Sequence, residues 1–279
     1  MESLISIIIP CYNDWQYVEQ AVNSALYQTY GNKEIIVVDD GSNAKTKEVL
    51  KQLESKITKL ITQENQGQST ARNIGIQAAN GDYILVLDSD DFFEPTFCEK
   101  AMLVFQDSSI KLVTSFTKRF NNFFSDEYYP GGGDLKKFLI CNEATGSAIY
   151  RKKDCIAIGG YDEKMRSGFE DWEFYIRLLQ NGGKAFVIPE FLFNYRLKEN
   201  STTSKANKLK YNLRNFIYNK HKNLYILYFE DFISYLLSNI EKEEKEKIKN
   251  INRLEFRIGK SILKPFRYIK FIFKKILFK

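Results

Sequence analysis

Histidine occurs once in this chain of 279 residues, cysteine four times and proline five times. Each scarcity removes a class of chemistry. His221 stands in a Lys/Asn-rich segment far from any other candidate group, which leaves little from which to build a Ser-His-Asp relay. Cys11, Cys98, Cys141 and Cys155 are scattered without C-x-x-C spacing. They read as reduced thiols, neither a disulfide framework nor a zinc site. A metal here has to be held by carboxylates, which selects a hard divalent cation, Mn2+ or Mg2+. No apolar run approaches the roughly 18 to 20 residues that cross a bilayer. The opening run Leu4–Ile9 is too short for a leader-peptide core, and Glu2 stands ahead of it instead of a basic cluster. These absences predict a cytoplasmic protein.

What is present is ordinary in amount but uneven in placement. Hydrophobic residues make up 44% and charged residues 27%, as in soluble globular chains. The net charge of +6 belongs to the end of the chain: residues 253–279 hold nine Lys/Arg against Glu255, a net of +8, which leaves 1–252 at −2. Within that tail Ile258, Ile262, Phe266, Ile269, Phe273 and Ile276 recur at steps of three or four, one face of a helix. Arg257, Lys260, Lys264, Arg267 and Lys274 follow the same steps on the flank and opposite side. Pro265 is expected to kink this helix or divide it. Such a helix suits the anionic inner face of a membrane. Packing of its apolar face on the rest of the chain or on a second subunit is the alternative. A nucleic-acid module is the third reading of a basic, aromatic tail.

The first ninety residues repeat one pattern. The short runs Leu4–Ile9, Glu34–Asp39, Lys59–Gln63 and Tyr83–Leu87, rich in Ile and Val, alternate with amphipathic stretches at Trp15–Tyr27, Lys45–Leu53 and Ser69–Ala78. That alternation predicts an α/β fold: a Rossmann-like, mostly parallel sheet flanked by helices, with ligands bound beyond the carboxyl ends of the strands. Residues 94–205 are less regular. We expect helices at Pro95–Phe105 and Asp171–Gln180, strands at Lys111–Thr117 and Ala144–Tyr150, and a loop over 121–133. Beyond Lys205 the chain becomes Lys-, Asn-, Tyr- and Phe-rich and helical in period. The expected division is 1–205, a helical extension over 206–252, and the basic tail helix 253–279.

Polar residues gather where those strands end. Pro10 is expected to stop the first strand, with Tyr12 held at its mouth, where a ring can stack on a planar base; an ordinary loop tyrosine is the alternative. Asp39-Asp40-Gly41-Ser42 follows the second strand. Asp40 is placed to accept from a base imide N–H, while Gly41 and Ser42 equally suit a turn and a helix N-cap. Arg72, in the first turns of a helix opened by Gly67, favours a phosphate or nucleotide edge, or else a surface salt bridge. Asp88-Ser89-Asp90-Asp91 directly follows a buried strand. The spacing of two puts Asp88 and Asp90 on one side, where they can bind a divalent ion that bridges two phosphates. Glu170-Asp171-Trp172 opens a helix. Asp171 serves there as a general base for a hydroxyl or as an N-cap.

Together these residues resemble the family 2 glycosyltransferases of GT-A fold. Pro-x-Tyr-Asn at 10–13, Asp-Asp-Gly-Ser at 39–42, Ala-Arg-Asn at 71–73, Asp-x-Asp-Asp at 88–91 and Glu-Asp at 170–171 stand in the family's order across about residues 4–205. Gly146-Ser147, Gly159-Gly160-Tyr161-Asp162-Glu163 and Tyr195-Arg196 also match. The resemblance implies a GT-A catalytic domain over 1–205 that passes one sugar from a nucleoside diphosphate, UDP by preference, to a glycan or lipid-linked acceptor with inversion. It places Pro10, Tyr12, Asn13, Asp40, Arg72, Asp88, Ser89, Gly146, Trp172 and Lys198 at the substrates. Asp88 and Asp90 take the metal, Asp171 is the base, and Glu170 orients the site. Relatives commonly carry histidine where Lys198 stands, so a histidine ligand is missing and Lys198 is assigned to the leaving diphosphate. The Gln-x-x-Arg-Trp motif of processive synthases is absent, which favours single-sugar transfer. A nucleotidyltransferase would need a Gly-rich triphosphate loop after the first strand, unlike residues 10–13. A catalytically inactive nucleotide-sugar-binding protein is the alternative in the binding class. No nucleic-acid partner is expected, peripheral membrane association is, and oligomerisation is left open.

Overall fold

The computed structural model describes residues 2–199 and 201–277, with side chains described through Pro265. The chain divides into two compact units, Met1–Leu227 and Tyr228–Lys279. The first unit opens with β1 (Ile5–Cys11), α1 (Val18–Leu26), β2 (Lys33–Asp40), α2 (Ala44–Leu53), β3 (Lys59–Gln63), α3 (Gln68–Ala78) and β4 (Tyr83–Val86). It continues with β5 (Phe92–Phe93), α4 (Phe97–Val104), β6 (Ile110–Phe120), β7 (Ser125–Tyr128), α5 (Leu135–Ile140), β8 (Ile149–Arg151), α6 (Lys152–Ala157), α7 (Glu170–Leu179) and β9 (Lys184–Arg196). Three short helices, α8 (Thr202–Lys208), α9 (Lys210–Lys220) and α10 (Lys222–Leu227), complete it.

One sheet runs β3-β2-β1-β4-β8-β6-β9-β5, with β7 added on β6. The first four strands are parallel, as the alternating pattern predicts; β8 is antiparallel to both β4 and β6, and β9 is parallel to β6. β1 is buried along its whole length, which is why it reads as a continuous apolar run. Ile5, Ile7 and Ile9 join Val18, Ala21, Val22 and Ala25 of α1 in one core cluster. Ile8 faces the other way, against α3, where a Cβ on Gly75 would fall 2.3 Å from Ile8 Cγ2. Helices therefore cover both faces, and the polar loops are left at the strand ends.

Several expectations are corrected. β1 does not stop at Pro10; it runs on to Cys11, with Pro10 paired to Val38 of β2. Pairing with β4 ends at Ile8, so Pro10 lies where β1 has lost one neighbour and a missing N–H is tolerated. The N-cap of α2 is Asn43, whose side chain accepts from Thr46 N at 3.0 Å, one residue later than Ser42. Residues 144–148 form a loop ahead of the three-residue β8. The 121–133 loop contains β7, a polar edge strand without an apolar signature. β9, thirteen residues long, carries no clean alternation because Pro189 and register shifts against β6 interrupt it. The division near 205–210 moves to Leu227/Tyr228, since Ala206, Ile217, His221 and Tyr225 are buried in the first unit.

The second unit is α11 (Phe229–Asn252) and α12 (Leu254–Leu277). α12 holds Pro265 inside one helix instead of being divided there. Leu254, Ile258 and Ile262 are exposed. The faces assigned to Phe266, Arg267, Ile269, Phe273, Lys274 and Ile276 lie outside the described side chains. No helix among the described residues is long and apolar enough to cross a membrane.

Candidate active site

The loops after β1, β2 and β4 leave the same end of the parallel strands. Tyr12 is exposed there. Asn13 takes φ 60°, a conformation asparagine tolerates, and binds the second loop. Its Oδ1 accepts from Asn43 N at 2.8 Å and its own N–H donates to Ser42 Oγ at 3.0 Å. Asp40 is buried and accepts from Gln63 Nε2 at 2.7 Å, Gln66 N at 2.8 Å and Gly67 N at 2.9 Å. The carboxylate thus fixes the turn that opens α3, and with about four lone-pair sites it retains room for one more donor. Gly41 between these loops has φ 75°, and a Cβ there would fall 2.7 Å from Asn65 N.

Arg72 joins the two acidic motifs. Its side chain is 1% exposed; Nη2 lies 2.8 Å from Asp88 Oδ1 and Nη1 2.8 Å from Glu170 Oε1, with Tyr161 beneath the guanidinium. A cation buried this deeply needs paired anions, so Arg72 faces two carboxylates of the chain and not the open cleft expected of it. Gln68 Nε2 also donates to Asp88 Oδ1, at 2.9 Å. Asp88 N in turn donates to Ser147 Oγ at 3.3 Å, which draws in the 145–147 loop.

Asp90 faces a different cation. Lys198 Nζ lies 2.6 Å from Asp90 Oδ2 and 2.9 Å from Asp14 Oδ1, and Ser89 Oγ donates to Asp14 Oδ2 at 2.7 Å. Asp91 is buried; its Oδ1 accepts from Arg196 N at 2.7 Å while its Oδ2 has no partner. Burial, then Asp90 and Asp88, hold the Asp91 carboxyl well above the usual carboxylate range. Arg196 closes this side, donating from Nε to Asp90 O at 2.9 Å between the rings of Tyr17 and Phe120.

Glu170 and Asp171 form the first turn of α7, and the cap is Phe169 at φ 63°, so Asp171 is no N-cap. Burial and the neighbouring Glu170 push the Asp171 carboxyl up to about 6, against the opposing pull of Arg72. Asn142 Nδ2 donates to Asp171 Oδ2 at 2.8 Å. A Cβ on Gly146 would stand 3.4 Å from the same oxygen, so glycine leaves this carboxylate reachable. Tyr175, one turn on in α7, donates to Thr145 O at 2.7 Å and pins that loop. Trp172 is not at the cleft. It is buried, and its indole N–H donates to Phe138 O at 2.5 Å. Next to Trp172 in the first turn of α7, the buried Glu173 meets Arg177, Lys220 and His221, which ties α9 to the helix that presents Asp171.

The structure therefore gathers Asp88, Arg72, Glu170 and Asp171 in one cluster and Asp90, Lys198 and Asp14 in another. Sequence reading missed Asn142 and Asp14. Neither lies in a recognisable spacing, and both contacts depend on chain segments that only folding brings together. Among the described residues no three His, Cys, Asp or Glu side chains form a metal-holding group. The donors of Asp88 and Asp90 still fit a hard cation. Arg72, Gln68 and Lys198 use one oxygen of each carboxylate, and such ions take their remaining ligands from phosphates and water.

Comparison with known proteins identifies the family of the chain. A family model described as glycosyl transferase family 2 matches residues 6–160, more than half of the chain. The chain belongs to that family. A second model, the N-terminal domain of galactosyltransferase, matches residues 139–201, the stretch of this family 2 chain that carries Glu170 and Asp171. The teichuronic acid biosynthesis glycosyltransferase TuaG of Bacillus subtilis is 30% identical over 72% of this chain and 82% of its own. An uncharacterized glycosyltransferase of Haemophilus influenzae is 44% identical over 36% of this chain and 41% of its own, and GlyG of Streptococcus pneumoniae 29% over 68% and 56%. The chain thus spans well under two thirds of the length of these last two. TarS of S. aureus in complex with UDP-GlcNAc superposes with a TM-score of 0.62 at 20% identity, over 72% of this chain and 61% of that one. That likeness carries the GT-A fold expected from the sequence.

Proposed function

We propose that this chain is an inverting glycosyltransferase that moves one sugar from a nucleoside-diphosphate sugar, UDP-linked, to an acceptor hydroxyl in polysaccharide or glycolipid assembly. The observation that carries the reading is the Arg72 bridge, which joins the Asp-x-Asp acid Asp88 to Glu170, one residue before the base candidate. Donor chemistry and proton transfer are thereby held in one rigid unit. Family membership, the teichuronic acid biosynthesis after which TuaG is named and the UDP-GlcNAc complex of TarS point the same way.

In this reading Tyr12 stacks on the base, Asp40 accepts its imide N–H, and Asp88 and Asp90 hold a divalent cation, Mn2+ or Mg2+. That ion supplies charge for the diphosphate when bound. Asp171 takes the proton from the acceptor hydroxyl, held in place by Asn142. The oxygen attacks the anomeric carbon from the face opposite the diphosphate. The bond to the diphosphate breaks with its electron pair on the leaving group, and configuration inverts. Ser89 and Asn13 hold the loops that frame this site. The exposed apolar residues and clustered bases of α12 support docking on an anionic membrane surface, where a lipid-linked acceptor would be met.

The test combines binding and turnover. UDP should raise the melting temperature, more so with manganese, because the ligand binds the folded state. Asp171→Asn should retain that shift yet lose roughly 10²-fold or more of transfer from UDP-sugars, as for loss of a general base. An Asp171→Asn variant that transfers sugar at the full rate would remove Asp171 as the base.

A further inference from the structure

The two cations that meet the Asp-x-Asp acids differ in kind. Arg72 is 1% exposed, and the two carboxylates it bridges are Asp88, half-buried, and Glu170, buried. Lys198 is 28% exposed and follows the end of β9, with its ammonium at the mouth of the site. It lies 2.6 Å from Asp90 and 2.9 Å from Asp14, two carboxylates delivered by different loops and each 19% exposed. Asp14 is itself held by Ser89, the residue between Asp88 and Asp90. The stem of Lys198 is flexible, and its ammonium is a compact point charge that can leave without disturbing the sheet.

An ammonium in direct contact with Asp90 and a divalent ion bound to the same carboxylate would repel strongly at that range. Resting on the reading that Asp90 takes the cation, we propose that Lys198 is a built-in competitor for it. The ammonium pairs with Asp90 and Asp14 in the free protein, and although it holds only one Asp90 oxygen, its charge opposes a divalent ion there until it leaves. The diphosphate of a bound nucleotide offers the released ammonium a new anionic partner. Cation and nucleotide therefore enter together: the free protein holds the ion weakly, and the nucleotide strengthens it by drawing Lys198 away. The same device keeps a row of acids paired when no donor is bound.

Manganese binding to the full chain, read from the electron paramagnetic resonance signal of the free ion, tests this without turnover. Lys198→Met keeps an apolar stem near Tyr17 and removes the charge. In the absence of nucleotide it should bind manganese about tenfold or more tightly than the native chain. Lys198→Arg, which keeps the charge, should stay close to the native value. The gain should vanish in the Asp90→Asn/Lys198→Met double variant and should not appear in Lys153→Met, an exposed lysine on α6. Adding UDP should tighten manganese binding more for the native chain than for Lys198→Met. Equal affinities of the native chain and Lys198→Met, or an equal gain in Lys153→Met, overturn the competition while leaving Asp90 as a cation ligand. No manganese binding by any variant, with or without UDP, overturns the cation reading and the competition together.

Discussion

Asp171 is the residue on which activity and stability pull apart. Its carboxyl is raised from 3.8 to about 6 by burial and by Glu170, with Arg72 opposing. A base must be ionised, so kcat/KM should rise with pH through about 6 and level off above it. The stability effect has the opposite sign. The folded state holds this proton more tightly than the unfolded one, so the stabilisation is complete below 3.8 and is lost as pH rises to about 6. Asp171→Asn should therefore melt at the native temperature or higher at pH 7.5, even as transfer is lost. Asn142 sets the same limb. Asn142→Asp replaces a donor at 2.8 Å with a second negative charge, which should move the acid limb of the pH–rate profile to higher pH at unchanged donor KM. An unshifted limb would mean that Asn142 only braces the loop. Asp171 was visible in the sequence because the Glu-Asp pair opens a helix. Asn142 was not, because its partner lies 29 residues away and no periodicity links them.

Among the elements, α3 most directly joins packing to chemistry. It lies on the face of the sheet opposite α1, and its second turn carries Arg72. Gly75 permits the close approach, since a Cβ would sit 2.3 Å from Ile8 Cγ2 and 3.2 Å from Val38 Cγ2. Gly75→Ala brings better helix propensity, worth about 1 kcal/mol. Overpacking against two buried central strands costs about 1–3 kcal/mol, and it should win because neither strand can shift. The expected result is a lower urea midpoint, together with weaker UDP binding as Arg72 and Asp88 are displaced. A midpoint at or above the native value would show that the helix slides to absorb the methyl. The apolar runs of β1 to β4 and the helices between them were legible because each is a regular, buried element with one dominant period. β7 and β9 were not, since one is a polar edge strand and the other is broken by Pro189 and register shifts.

For the whole molecule, the uneven charge gives the clearest consequence. Residues 253–279 carry a net +8 on a chain of +6. Each basic side chain near an anionic surface is worth about 1 kcal/mol, so reversing three should release a docked chain. The full chain should float with phosphatidylserine vesicles at low salt, and Arg257→Glu/Lys260→Glu/Lys264→Glu should stay in the soluble fraction. Equal behaviour of both chains would assign α12 a packing role instead. Every described residue of the altered set is exposed, so the substitutions leave the first unit's core untouched.

The sequence by itself determined the α/β class, the parallel half of the sheet, and the positions of Asp40, Asp88, Asp90 and Asp171 at strand ends or a helix start. These are local matters: periodicity, strand-ending turns and acids too closely spaced to stand without a partner. Tertiary structure alone decided what those residues meet. It turned Arg72 inward between Asp88 and Glu170, buried Trp172 in the core, set Asn142 on the Asp171 carboxylate and laid Lys198 across Asp90 and Asp14. Each of these contacts spans from 16 to 184 residues of chain or depends on burial, and neither quantity is written in any local pattern.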